Sequence, residues 1–134
     1  MAEGKKTRAT QLSSKGFFAF EDLEIYHLSV ELAAAVYGLT SGFPADERFG
    51  LTNQIRRAVT SVTLNIAEGR GRGTDKDFAR FLMQARGSLY EVVSGLHLAV
   101  RLGYIKETET TMINENARTL VAKITAFSQK LSPL

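Results

Sequence analysis

Apolar residues recur at helical spacing along nearly the whole chain, in four long runs separated by glycine-rich breaks. Leu23, Tyr26, Val30, Ala33 and Tyr37 repeat at three- and four-residue intervals and predict a first helix over about Phe20 to Leu39. A second set on the same helix, Ile25, Leu28, Leu32, Val36 and Leu39, has the same period but is offset around the axis. So wide an apolar arc needs more cover than a small bundle gives one helix. The second stripe is therefore read as an oligomer interface, the N-terminal tail or the 40–50 loop being the other cover for it.

The remaining runs are as regular. A second helix follows Phe43-Pro44 and ends at the glycines after Glu68, with Asp46 and Glu47 near its start, where the helix dipole favours acid. A third spans about Asp75 to Leu102, with Thr74 as N-cap and an apolar stripe from Phe78 to Val100. At 1.5 Å per residue it is about 40 Å long. Gly87-Ser88 interrupts it, and an interior glycine costs about 1 kcal/mol against alanine, so Gly87 is read as a point of close helix approach. Gly103 reads as its terminating glycine. The fourth begins near Lys106 to Thr108 and reaches Leu131 on the stripe Ile113, Ala117, Leu120, Ile124, Phe127 and Leu131. Short turns make sequential helices antiparallel, so the fold class is all-α, an up-down-up-down four-helix bundle over 17–134. Residues 1–16 are polar and aperiodic and read as a disordered basic tail.

Charge refines the picture. The formal net charge is +3, but residues 1–15 carry Lys5, Lys6, Arg8 and Lys15 against Glu3 and supply all of it. Residues 16–55 hold Arg48 against Glu21, Asp22, Glu24, Glu31, Asp46 and Glu47, a net −5. Residues 56–101 set eight basic residues against Glu68, Asp75, Asp77 and Glu91, a net +4. An acidic first part and a basic middle suit self-association as well as nucleic-acid binding.

Little in the chain points to catalysis. Cysteine is absent, which removes disulfides, thiolate nucleophiles and thiolate metal sites. The two histidines, His27 and His97, do not fall in the Glu-x-x-His pairs of di-metal bundles. The GRGRGT segment places arginines between glycines but matches no nucleotide fingerprint. No cofactor, metal or small-molecule substrate is expected, and no enzymatic activity. The N-terminus lacks an apolar core of the secretory type, and no run nears the roughly 18 residues of a membrane span; a cytoplasmic protein is expected.

Two candidate functional sets remain. Gln54, Ser61, Asn65 and Glu68 share one stripe of the second helix and, with Gly87 and Ser88, form a candidate polar seam between helices; a solvated face is the alternative. Glu68 lies near a helix C-terminus, where it calls for a cation from Arg57, Arg72 or Arg80. Arg56, Arg57, Arg70, Arg72, Arg80 and Arg86, continuing to Arg101, form a candidate RNA- or DNA-binding region. No aromatic stacking platform is evident among them.

The run Gln54-Ile55-Arg56-Arg57-Ala58, with Ser61 and Asn65-Ile66-Ala67-Glu68-Gly69 after it, resembles a family of four-helix bundle proteins. Some are encoded in intervening sequences of bacterial large-subunit ribosomal RNA genes, and the family is also labelled ribosomal. Phe20-Glu21-Asp22-Leu23, Phe43-Pro44, Glu47, Gly50-Leu51, Arg72, Phe78, Phe81-Leu82, Ala85, Gly87-Ser88, Glu91 and Gly103-Tyr104-Ile105 belong to the same likeness, which covers about Phe20 to Ile105. The resemblance implies an antiparallel four-helix bundle, a ring of five subunits and no enzymatic activity. A related protein is the accessory factor of diversity-generating retroelements, a basic pentameric barrel that binds nucleic acid and a reverse transcriptase. The folded body of this chain is instead neutral.

Overall fold

The computed structural model describes residues 16–133; the tail expected over 1–16 lies, but for Gly16, outside them. Four helices form, α1 Glu24–Thr40, α2 Leu51–Arg70, α3 Asp75–Arg101 and α4 Thr111–Leu131, and no strand appears among the described residues. Helix α2 packs most extensively on α3, α3 packs on α4, and α1 packs on α2 and α4, which closes an up-down-up-down bundle. Antiparallel order is visible in the pairings: Thr63 with Ser29 and Arg56 with Thr40 across α1–α2, Phe78 with Phe127 across α3–α4.

Three helices start later than expected, each behind a short 3₁₀ turn. Ala19–Asp22 precedes α1, where Glu21 Oε1 accepts the Phe18 N–H at 2.8 Å and Leu23 is extended. Ala45–Glu47 precedes α2, and Glu107–Thr110 precedes α4. Apolar spacing cannot separate three residues per turn from 3.6 over so short a stretch. Helix α3 has no such turn: the Thr74 hydroxyl accepts the Asp77 N–H at 3.1 Å and fixes its first turn directly. At its far end Gly103 (φ +83°) takes the left-handed conformation. The Gly103 N–H bonds the Val100 carbonyl and the Tyr104 N–H the Ala99 carbonyl, the two bonds of a Schellman cap.

The core runs the length of the bundle through Leu32, Val36, Ile55, Val59, Ile66, Leu82, Leu89, Leu96, Leu120 and Ile124. This overturns the interface assigned to α1. Ile25, Leu32 and Val36 are buried within the subunit, and Leu28 and Leu39 are half-buried against the same core. The stripe is covered by α2 and α4, so it offers nothing to a neighbour. The outward stripe of α1 is the other one, where Val30 and Tyr37 are exposed. Periodicity shows that two stripes exist; the neighbours decide which one turns inward.

Close helix approach also falls elsewhere than at Gly87, which is exposed with open space where a Cβ would stand. A Cβ on Gly95 would lie 2.6 Å from Ile55 Cγ1, and one on Gly69 would lie 2.6 Å from Phe81 Cβ. The α2–α3 pair therefore closes on glycine at both ends, with α3 supplying one and α2 the other.

Candidate interaction surface

The seam expected between α2 and α3 is assembled by three of its six residues. Ser88 Oγ donates to Ser61 Oγ at 3.1 Å, and Asn65 Nδ2 donates to the Ser61 carbonyl and hydroxyl, both at 2.9 Å. All three are half-buried, where an unmade polar contact costs more than a made one gains. Gln54 is exposed beside Glu91 and Ser94 in a separate depression. Glu68 is exposed, and of the three candidate arginines it is Arg72 that pairs with it, at 3.7 Å. Gly87 takes no part.

A second polar seam, between α1 and α2, went unread in the sequence. Thr63 Oγ1 donates to Ser29 Oγ at 2.9 Å, and Ser29 Oγ donates to the Tyr26 carbonyl at 2.6 Å. Thr40 Oγ1 donates to the Val36 carbonyl at 2.8 Å and accepts from Arg56 Nε at 2.9 Å. Ser29 and Thr40 share the register of Ile25, Leu32 and Val36, which was the available signal.

The arginines do not form one surface. Arg56 also donates Nη2 to the Tyr37 carbonyl at 3.1 Å and lies over the Tyr37 ring at 4.6 Å. It satisfies the carbonyl end of α1, where the helix dipole favours a cation, and so acts as a cap. Arg72 and Arg80 flank the Phe81 ring at 5.4 and 4.8 Å, and Arg80 also pairs with Asp77 at 3.5 Å. Arg86 points to α4, donating to Thr125 Oγ1 at 3.2 Å. Arg70 and Arg101 are exposed at opposite ends of the bundle's length. Arg57 is exposed and makes no ion pair among the described residues.

What α2 does present is a groove. Its outward face and the end of α1 enclose an open channel of about 690 Å³ running from Arg48 and Phe49 to Asn65 and Glu68. Phe49 is 87% exposed and Leu64 59% exposed, and Tyr37 and Arg57 line it as well. Arg48 lies 5.8 Å from the Phe49 ring, and Arg56 stacks on Tyr37. Arginine and aromatic rings therefore do meet on one face, contrary to the expectation that no aromatic platform lies among the arginines. Sequence position hid it because Tyr37 and Phe49 belong to α1 and the loop.

At the end of the bundle that holds the α1–α2 and α3–α4 connections, Glu47 joins the two. Its Oε1 accepts the Leu51 N–H at 2.8 Å, capping α2, and its Oε2 accepts the Tyr104 hydroxyl at 2.7 Å. The Leu51 bond first, then the Tyr104 bond, holds the Glu47 carboxyl below the ordinary carboxylate range. The bond to Glu47 pushes the Tyr104 phenol up. The Phe43 ring packs on Tyr104 at 5.6 Å, so aromatic contact and hydrogen bond act together.

Among the described residues no cluster of three His, Asp or Glu side chains could hold a metal ion, and no helix is long and apolar enough to cross a membrane. Four antiparallel helices, glycine-closed between α2 and α3 and capped by Glu47 and Arg56, define a small all-α bundle. The 23S rRNA-intervening sequence protein family matches residues 21–126, and the chain belongs to it. It is similar to a crystal structure of a protein of unknown function from the S23 ribosomal protein family of Bacteroides thetaiotaomicron. That likeness has a TM-score of 0.70 at 23% identity over 78% of this chain and 98% of that one. No curated protein matches the chain. The comparisons indicate no enzymatic family.

Proposed function

We propose that the protein is a non-enzymatic, self-assembling helical bundle that works in the cytoplasm as a ring-shaped homo-oligomer. The proposed ring has five subunits, the number that the family resemblance implies. One observation carries this reading: the groove of α2 leaves Phe49 and Leu64 in water although the bundle has a complete core of its own. Large apolar side chains grouped on one face of a folded domain mark an interaction surface. The uneven charge supports it, since an acidic first part and a basic middle attract each other between copies. Sedimentation velocity at micromolar concentration in moderate salt tests the reading. An oligomer is expected, and a monomer overturns it.

A second reading, a scaffold for structured RNA using the Arg56–Arg101 region and the basic tail, is favoured by the arginine–aromatic pairs Arg48–Phe49 and Arg56–Tyr37. It predicts RNA affinity that falls steeply with salt. A gel-shift salt series decides it, and no binding at low salt eliminates it.

A further inference from the structure

We infer that the α2 groove receives the aromatic and acidic entry segment, Phe17 to Glu24, of a second copy of the chain. This rests on the self-assembly reading and names its contact. The groove offers two exposed apolar side chains, Phe49 and Leu64, beside two cations. Neither Arg48 nor Arg57 has an ion-pair partner among the described residues. Three arginines, a phenylalanine and a tyrosine in its lining are residue types enriched at protein–protein contact centres, set among threonine, serine, asparagine and Glu68.

The entry segment matches the groove in apolar character and in sign. Phe17 is 90% exposed and Phe18 55% exposed. They are held in place rather than dangling: Phe18 stacks on Phe20 at 5.7 Å, Phe20 packs on Tyr26 at 4.7 Å, and Glu21 bonds the Phe18 N–H. Presenting two rings from a fixed 3₁₀ turn lowers the ordering cost of docking. Asp22 is exposed and has no ion-pair partner among the described residues, whereas Glu24, also exposed, already pairs with Lys123 of its own subunit at 3.2 Å; no basic residue lies between Phe17 and Glu24. The first fifteen residues carry the sign of the groove itself, which disfavours them as its occupant. Segment and groove are unlike surfaces, so each subunit donates to one neighbour and receives from another. Such a heterologous contact closes into a ring when its rotation allows.

The full chain is tested by sedimentation velocity over a concentration series, with circular dichroism confirming that each variant is helical. Arg57→Glu and Phe49→Ala each raise the concentration of half-assembly about tenfold or more, as removal of a contact-centre residue does. Phe17→Ala with Phe18→Ala does the same from the other side. Combining Arg57→Glu with Asp22→Arg restores assembly toward the wild type, because the pair of charges is exchanged. A wild type that assembles alongside groove and segment variants that assemble equally well overturns this inference and leaves self-assembly standing. A monomeric wild type overturns both. If Arg57→Glu leaves assembly intact but abolishes binding of a labelled single-stranded oligouridylate, the groove is a nucleic-acid site and the inference is overturned.

Discussion

The two sides of α2 are built from one stretch of sequence and do opposite things. Toward α3, Ile55, Val59, Val62 and Ile66 are at most 1% exposed, and Gly69 and Gly95 let the backbones close together. Toward the groove, the same helix carries arginine, asparagine and threonine, with its Leu64 and the preceding loop's Phe49 left in water. The inner side is closed: Ile55, Val59, Val62 and Ile66 all belong to the subunit's own buried core. On the outer side Arg56 is spent on α1, while Arg57 has no ion-pair partner among the described residues. Neighbouring residues of one type can thus differ in role, and the difference lies in what the adjoining helix end leaves unpaired.

The contrast can be broken most forcefully from inside. Ile55→Ala removes a side chain that fills the α2–α3 contact and is expected to cost about 2–5 kcal/mol, read by urea unfolding. Next in size is a pair of glycines. Gly95→Ala drives a methyl into Ile55 and is expected to destabilise by about 1–3 kcal/mol. Gly87→Ala meets open space and is expected to stabilise by about 0.5–1 kcal/mol. Equal effects at the two glycines would remove the claim that α3 approaches α2 closely at one and not the other. Arginine substitutions sharpen the outer side. Arg56→Ala loses a helix cap and is expected to cost about 1 kcal/mol, whereas Arg57→Ala is expected to stay within about 0.5 kcal/mol.

The smallest effect depends on pH. Glu47 has a carboxyl held below its ordinary value near 4.5, so its stabilising contribution is present above that value. The contribution is lost as pH falls through the lowered folded-state value. Thermal melts of wild type and Glu47→Gln are expected to differ by a constant amount at neutral pH. The gap is expected to narrow below about pH 4.5, the carboxylate's ordinary value. A gap unchanged down to pH 3 would show that the Leu51 and Tyr104 bonds do not depend on the charge.

Most of the fold was legible because apolar period and glycine breaks record helix number, length and order directly. Helix α3 was read nearly to its ends, since Thr74 and Gly103 act within its own turns. What could not be read was azimuth. The stripe Ile25–Leu32–Val36 was given to a neighbouring subunit because its direction depends on α2 and α4, which a single helix does not encode. Gly87 and Gly95 lie eight residues apart on α3, and only the tilt of α2 selects Gly95 as the contact. The candidate site divides the same way. Ser61, Asn65 and Ser88 were found from spacing. Tyr37 with Arg56 and Glu47 with Tyr104 are distant in sequence and meet through the fold.

Gly69 and Gly95 have a consequence for motion. Each helix of the α2–α3 pair offers a notch at one end to a bulky residue of the other, Phe81 at one end and Ile55 at the opposite end. A slip of one turn, about 5.4 Å along the axis, would carry both residues out of their notches at once. Longitudinal shear between these two helices is therefore blocked in both directions. The two notches make this pair resist sliding, so adjustment of the bundle to a partner is expected at α1 and α4 before it is expected between α2 and α3.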